Sequence, residues 1–103
     1  MRRKKNDDLY FIQSAKTGMI KIGRSKNPEK RLKQLQTGSP NKLKLIASFK
    51  EEGWRESELH EHLREWKVRS NGEWFTYDCV GNIPKHFYER IEWGSFDDWW
   101  ESP

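Results

Sequence analysis

Two short apolar segments near the start of the chain predict a β-hairpin. Residues 9–12 are rich in strand-forming side chains, and residues 19–23 alternate apolar and polar positions at their centre. The segment 14–18 between them contains serine, threonine and glycine, which favour a turn. Residues 43–49 carry leucine, leucine, alanine and phenylalanine at alternate positions, and this period of two predicts a third strand.

Between the second and third strands the pattern favours a helix. Residues 27–29, Asn-Pro-Glu, combine an N-cap side chain, a proline suited to the first helical turn and an acid near the helix N-terminus. Leu32 and Leu35 mark its buried stripe, and we expect the helix to end near residues 38–40.

The second half of the chain predicts two more helices and a short strand. Leu59 and Leu63 are four residues apart in a predicted helix at 54–66, a strand is predicted at 73–77, and a last helix at 84–93. Because a hairpin precedes the first helix, a regular doubly wound βαβ array is excluded. We therefore expect an α/β fold of the α+β type, with a small, largely antiparallel three-stranded sheet flanked by helices.

Length and composition indicate one small domain. The chain has 103 residues, of which 33% are hydrophobic, so it has room for one small core. Although 35% of the residues are charged, 14% are aromatic and can bury a large apolar area with few side chains. We divide the chain into a basic arm at 1–8, a single domain at 9–93 and an acidic, aromatic tail at 94–103.

The two halves of the chain have opposite net charge. Residues 1–50 contain 14 Lys and Arg against 3 Asp and Glu, a net charge of +11, whereas residues 51–103 contain 6 against 13, a net charge of −7. A basic half of this size favours a polyanionic partner, most plausibly nucleic acid. The alternative, a solvated basic face that only keeps the protein in solution, stays open on charge alone.

Other compositional features narrow the expected class of protein. No apolar run reaches the roughly 18 residues of a membrane span, and the basic start of the chain precedes polar residues, so we expect a cytoplasmic protein without membrane contact. The one cysteine, Cys79, excludes an internal disulfide and a cysteine-rich zinc site. His60 and His62 are two positions apart in a predicted helix, which is not a zinc-binding spacing.

Five short motifs occur in an order and spacing that resemble the GIY-YIG endonuclease superfamily, in its small phage and bacterial DNA-binding branch. The motifs are LYFI at 9–12, IKIGRS at 20–25, NPEKRL at 27–32, ESELH at 56–60 and GEWF at 72–75. The resemblance implies a three-stranded antiparallel sheet with helices around it, in a protein of a bacterial or phage-infected cell. In active members it also implies hydrolysis of a DNA phosphodiester with one divalent metal, Mg²⁺ or Mn²⁺.

The resemblance also implies roles for individual residues. Those that match catalytic positions by their place in the motifs are Tyr10, Lys21, Arg24 and Arg31, and Glu56 matches the metal-binding glutamate. On this basis we expect a metal-dependent DNA endonuclease.

Two positions depart from the family pattern. Lys21 stands where the second motif has tyrosine, as in many members of this branch, and Leu35 lies one helical turn after Arg31, where some relatives carry a polar or aromatic catalytic side chain. These departures keep open a second function, a DNA-binding module without catalysis. A third is an interaction domain that docks a protein partner through the tail at 94–103. The sequence does not specify the oligomeric state.

Helical geometry supports roles for the carboxylate and the helix arginine. Glu56 flanks the stripe of Leu59 and Leu63, where it can be held rigidly, and Mg²⁺ binds one or two carboxylates together with phosphate oxygens. The alternative is an ion pair between Glu56 and His60, four residues later. Arg31 borders the buried stripe of its own helix, and its guanidinium can bind a phosphate bidentately or remain a surface cation.

The hairpin register decides whether Tyr10 acts together with Lys21. If the two residues pair directly, they face each other, whereas a register shift by one residue would separate them. The alternative for Tyr10 is an ordinary strand aromatic. DNA contacts are expected from the basic arm and from the start of the first helix, where backbone N–H groups attract anions. The residues expected to contact DNA are Arg2, Arg3, Lys4, Lys5, Ser25, Lys26 and Lys30.

Overall fold

A four-stranded antiparallel sheet with helices on both faces forms the fold, which confirms the expected α+β class. The computed structural model describes residues 7–68 and 73–91. The strands lie in the order β3-β1-β2-β4. Their bounds are β1 Asp8–Ser14, β2 Ile20–Ser25, β3 Leu43–Phe49 and β4 Trp74–Phe75.

Strand β4 adds a fourth strand at the edge of the sheet, which was predicted to have three. The predicted strand at 73–77 shortens to the two residues of β4, which pair with Ile20 and Lys21 of β2. Because β4 ends there, no strand among the described residues pairs with the outer edge of β2 from Gly23 to Ser25. Within residues 7–68 and 73–91, side chains from outside the sheet can therefore reach this edge, which is called the open edge below.

The register of the β1–β2 hairpin differs from direct pairing of Tyr10 with Lys21. Tyr10 pairs with Gly23, and Lys21 pairs with Ile12. The loop closes where the Ser14 N–H donates to the Met19 carbonyl at 3.0 Å, and this closure sets the register. Since side chains alternate between faces with a period of two, Tyr10 and Lys21 still lie on the same face as diagonal neighbours.

A β-bulge in β3 divides the apolar pattern that predicted this strand. The register shifts so that Ile12 pairs with Leu45 and Phe11 pairs with Ala47, which leaves Ile46 as the extra residue. Leu43 and Leu45 consequently pack on one face of the sheet, whereas Ile46 and Phe49 join the core on the other. The bounds of the strand agree with the prediction, but its alternate residues do not share one face.

Helix α1 (Pro28–Thr37) begins and ends where the sequence predicts. The Asn27 side chain accepts a hydrogen bond from the Lys30 N–H at 3.1 Å and so caps the helix. Leu32 and Leu35 pack with Tyr10 and Ile12, on the face of the sheet that also carries Lys21.

The later helices are shorter than predicted. The predicted helix at 54–66 is a short α2 (Glu56–His62) between the 3-10 turns Gly53–Arg55 and Arg64–Trp66. No side chain caps the start of α2, and the backbone leaves helical geometry at Leu63. The last helix, α3 (Lys85–Tyr88), follows a 3-10 segment at Tyr77–Asn82.

Two apolar clusters hold these elements on opposite faces of the sheet. Helix α2 packs on the main cluster through Leu59, and Leu63, directly after the helix, packs there as well. Helix α3 packs there through Phe87, whose ring meets Phe49 edge-on at 5.3 Å. Cys79 is buried in the same cluster, and burial raises the pKa of its thiol to about 12. The cysteine therefore serves as an apolar core residue.

Truncation of Leu59 in α2 or of Leu63 directly after it should destabilise the fold. Leu59 and Leu63 are 2% and 0% exposed, so Leu59→Ala or Leu63→Ala should lower the free energy of unfolding by about 2 to 5 kcal/mol. Urea unfolding checks this, with Glu58→Ala on the exposed face of α2 as the control, expected within about 0.5 kcal/mol of wild type. Equal stability of the leucine variants and the control would contradict the burial described here.

Candidate active site

The phenol of Tyr10 occupies the space above Gly23. Tyr10 is 1% exposed and pairs across the hairpin with this glycine. A Cβ atom at position 23 would lie 2.5 Å from the Tyr10 hydroxyl oxygen and 2.6 Å from Cζ, so only glycine leaves room for the ring. The phenol thus extends across β2 toward the open edge of the sheet.

Helix α2 brings His60 and Glu56 to this open edge. The His60 Nε2 lies 2.8 Å from the Ile22 carbonyl oxygen, and because a carbonyl only accepts, this nitrogen donates. The His60 ring also meets Phe75 edge-on at 5.0 Å, which fixes its plane. Glu56 Oε2 lies 3.8 Å from the same nitrogen, a distance too long for a hydrogen bond. The alternative pairing of Glu56 with His60 is therefore present only as a loose ion contact.

Lys21 and Glu73 form a close ion pair beside the phenol. The two charged atoms, Lys21 Nζ and Glu73 Oε1, are 2.7 Å apart, and the lysine side chain is 8% exposed. Burial alone would raise the pKa of Glu73, but the hydrogen bond and charge of Lys21, assisted by His60 and Arg31, hold it below its usual value of 4.5. Glu73 is therefore a carboxylate at neutral pH.

Arg31 reaches the phenol from α1, which packs on the same face of the sheet as Lys21. Burial raises the pKa of Tyr10 above 10.0; a hydrogen bond and the positive charge of Arg31 oppose this rise, and the negative charges of Glu73 and Glu56 add to it. Arg31 is exposed, and its Nη1 donates to the Gln34 side-chain oxygen at 3.3 Å. One arginine and two carboxylates therefore lie close enough to the Tyr10 phenol to affect its ionisation.

Arg24 does not join this group. It lies opposite Leu9 in the hairpin, on the other face of the sheet from Tyr10, and its Nε is 3.5 Å from Asp7 Oδ2. Ser25 has a structural contact, because its Oγ accepts the Asn27 N–H at 3.0 Å before α1. Lys26 and Lys30 are exposed at the start of α1, and Arg2, Arg3, Lys4 and Lys5 lie outside the described residues.

Two residues at the candidate site, Glu73 and His60, were not predicted to have a catalytic or metal-binding role. Glu73 stands in the GEWF motif, and the signal that could have identified it is a carboxylate directly before the strand that pairs with Lys21. His60 follows Glu56 by one helical turn, which indicates that both reach the same place. Sequence spacing alone does not show that β4 borders β2, so the ion pair between Lys21 and Glu73 is visible only in the fold.

The site offers one loosely held carboxylate for a cation. Within residues 7–68 and 73–91, no group of three or more His, Cys, Asp and Glu side chains is arranged to hold a metal ion. Glu73 is already bound to Lys21, whereas Glu56 has only its 3.8 Å contact with His60. A single carboxylate fits Mg²⁺, which keeps several waters and binds substrate phosphate oxygens.

Comparison with known families identifies the domain. A family model described as the T5orf172 domain matches residues 8–93. The chain belongs to the T5orf172 domain family. This membership indicates a phage-associated domain of the DNA-binding or nuclease-like type, related to GIY-YIG and HNH-like nuclease domains. Searches of curated proteins and of solved structures found no match to this T5orf172 domain.

No helix in the described part of this T5orf172 domain is long and apolar enough to cross a membrane.

Gly23→Ala should disrupt the site because the new methyl group and the Tyr10 phenol would compete for one space. We expect the free energy of unfolding to fall by about 1 to 3 kcal/mol in urea denaturation. Gly38→Ala is the matched control, since a Cβ atom there meets nothing within 4 Å. If both variants are equally stable, the close approach of Tyr10 to Gly23 is wrong.

Proposed function

We propose that this T5orf172 domain is a GIY-YIG-type DNA endonuclease that hydrolyses one phosphodiester with one divalent cation, Mg²⁺ or Mn²⁺. The observation that carries the proposal is the Tyr10 phenol above Gly23, with Arg31, Glu56 and Glu73 all close enough to affect its ionisation. A hydroxyl can orient a water, an exposed guanidinium can bind phosphate oxygens and a weakly paired carboxylate can hold a cation, and together these roles suit phosphodiester hydrolysis.

Arg31 is the residue best suited to bind the scissile phosphate. Its guanidinium is exposed on α1 and acts on the Tyr10 hydroxyl, so a phosphate held by Arg31 lies within reach of the phenol. Guanidinium groups bind phosphate oxygens bidentately and stabilise the negative charge that grows in the transition state. Arg24 is assigned no catalytic role in this proposal, because it projects from the opposite face and contacts Asp7.

Tyr10 acts in its neutral form. Since its pKa lies above 10.0, the phenol keeps its proton at neutral pH and orients the attacking water through its hydroxyl group. Lys21 does not act on the water directly, because its ammonium is held 2.7 Å from Glu73. The pair instead keeps a fixed carboxylate beside the phenol.

Glu56 is the residue that would hold the cation. Its neighbour His60 donates to the Ile22 carbonyl, so the imidazole is anchored and leaves the carboxylate weakly engaged. A divalent cation bound there supplies Lewis-acid chemistry, which polarises a phosphoryl oxygen and lowers the pKa of a bound water.

The second candidate is a DNA-binding module without turnover. The observation that favours it is the ion pair of Lys21 with Glu73. Lys21 stands at the position where the second GIY-YIG motif has a tyrosine. In that case the exposed cations Lys26, Lys30 and Arg31 would serve only for contact with the DNA backbone.

A plasmid-nicking assay with Mg²⁺, Mn²⁺ or EDTA separates the two candidates. The endonuclease converts supercoiled to open-circular plasmid with either metal and not with EDTA, and Glu56→Gln or Arg31→Ala lowers the rate about a hundredfold or more. Glu58→Gln is the control on α2, because Glu58 is exposed and should keep the wild-type rate.

DNA binding without nicking under any metal would support the inactive module and reject the endonuclease. Nicking by Glu56→Gln at the wild-type rate would show that this carboxylate holds no catalytic cation. Circular dichroism of each variant checks that the fold is kept.

A further inference from the structure

A cavity lies on the same face of the sheet as Tyr10. This cavity has a volume of about 310 Å³ and opens between β4, α1 and the loop that follows α1. Its apolar walls include Met19, Leu35, Pro40 and Trp74, and its polar groups include Ser39 and Asn41. The volume is at the lower end of the range of roughly 300 to 1,000 Å³ for small-molecule sites, which suits one planar ring system.

Gln36 holds the loop wall of the cavity in place. Its side-chain nitrogen donates to the Asn41 carbonyl at 2.8 Å, and its side-chain oxygen accepts the Leu43 N–H at 2.8 Å. Ser39 Oγ accepts the Asn41 N–H at 3.1 Å. These hydrogen bonds fix the loop to α1 and β3, so the cavity is formed before any ligand arrives.

The cavity is adjacent to the candidate active site at two points. Trp74 pairs directly with Lys21, whose Nζ lies 5.8 Å from the tryptophan ring centre. Leu35 follows Arg31 by four helical residues, a rise of about 6 Å. The phosphates of one duplex strand are spaced about 3.4 Å apart along the helix axis, so this rise spans about two phosphates. A nucleotide one or two positions from the phosphate held at Arg31 can therefore reach the cavity.

Charge around the cavity favours a polyanionic ligand. The two segments that supply most of its walls, residues 14–19 and 35–44, contain no Asp or Glu. They carry Lys16, Lys42 and Lys44, of which Lys16 and Lys42 are exposed. The Ala15 N–H donates to the Lys42 carbonyl at 2.8 Å, so the segments of these two exposed lysines meet next to Ser14 and Asn41 of the cavity wall.

We propose that this cavity is a subsite for one unpaired nucleobase of the DNA strand whose phosphate lies at Arg31 and Tyr10. The base stacks on Trp74 between the apolar walls, Asn41 meets its polar edge, and the exposed Lys16 and Lys42 meet the flanking phosphates. The inference rests on the proposed function for the path of the strand, and it names the substrate class: DNA with an unpaired nucleotide beside the scissile phosphate.

The test compares two DNA probes in EDTA, where binding is measured without cleavage. One is a fully paired duplex, and the other has the same flanks with a single unpaired 2-aminopurine. The wild-type protein should bind the second probe more tightly and quench its fluorescence by stacking. Trp74→Ala should weaken binding to this probe about tenfold and abolish the quenching, with little change for the paired duplex. Trp74→Phe should restore most of both effects.

Two further variants keep the test valid even if substitution of Trp74 disturbs the fold. Met19→Trp fills the cavity from another wall and should weaken binding to the unpaired probe only. Trp54→Ala is the matched control, because Trp54 is 48% exposed and its ring stacks against Arg55 at 4.3 Å, away from the cavity. It should bind and quench as the wild type does.

The outcomes distinguish this inference from the proposed endonuclease. Equal wild-type affinity for the two probes, or quenching that survives Trp74→Ala and Met19→Trp, overturns the subsite. Failure to bind either probe overturns both the subsite and the proposed function. Trp74-dependent quenching in a protein that nicks no plasmid supports the subsite and rejects the endonuclease alone.

Discussion

The close approach of the Tyr10 ring to the backbone of Gly23 determines where the candidate site can form. A side chain at position 23 would displace the phenol, since even a Cβ atom would lie 2.5 Å from its hydroxyl. With glycine there, a residue of the central strand β1 reaches across β2 to the edge of the sheet. The hydroxyl is thus supported by a rigid core strand and still meets groups from outside the sheet.

The shortness of β4 explains how Arg31 and Glu56, from opposite faces of the sheet, both affect the ionisation of this hydroxyl. Helix α1 packs on one face and α2 on the other, so Arg31 and Glu56 would be separated by a fully paired sheet. Because β4 pairs with only two residues of β2, His60 bonds directly to the Ile22 carbonyl, and α2 carries Glu56 one helical turn before it to the open edge. The same short strand places Glu73 on Lys21 and Trp74 beside it.

Much of the fold was predictable because its signals are local. The hairpin, the bounds of β3 and the N-cap at Asn27 follow from apolar spacing and turn chemistry within a few residues. The hairpin register and the bulge at Ile46 could not be predicted from the sequence. Closure of the hairpin loop determines the register, and packing of the two apolar clusters determines the bulge. The prediction of one helix over 54–66 was wrong for a similar reason, because Leu59 and Leu63 are both buried although the helix ends at His62.

The sequence names candidate site residues one by one but does not predict how they are arranged. In the fold, Arg31 and Glu56 lie close enough to Tyr10 to affect its ionisation, whereas Arg24 lies on the other face and Lys21 is bound to Glu73. Strand alternation alone separates Arg24 from Lys21, since the two are three residues apart in β2. The partner of Lys21 depends on which strand lies beside β2, and that contact spans 52 positions of the chain.

The most direct test of this account is the rate of plasmid nicking by Tyr10→Phe in Mg²⁺. Phenylalanine keeps the ring above Gly23 and removes only the hydroxyl, so the fold should survive while the rate falls about a hundredfold. Tyr77→Phe, an exposed tyrosine in the 3-10 segment Tyr77–Asn82, should nick at the wild-type rate. A folded Tyr10→Phe protein that nicks as fast as the wild type would contradict the central role given to this hydroxyl.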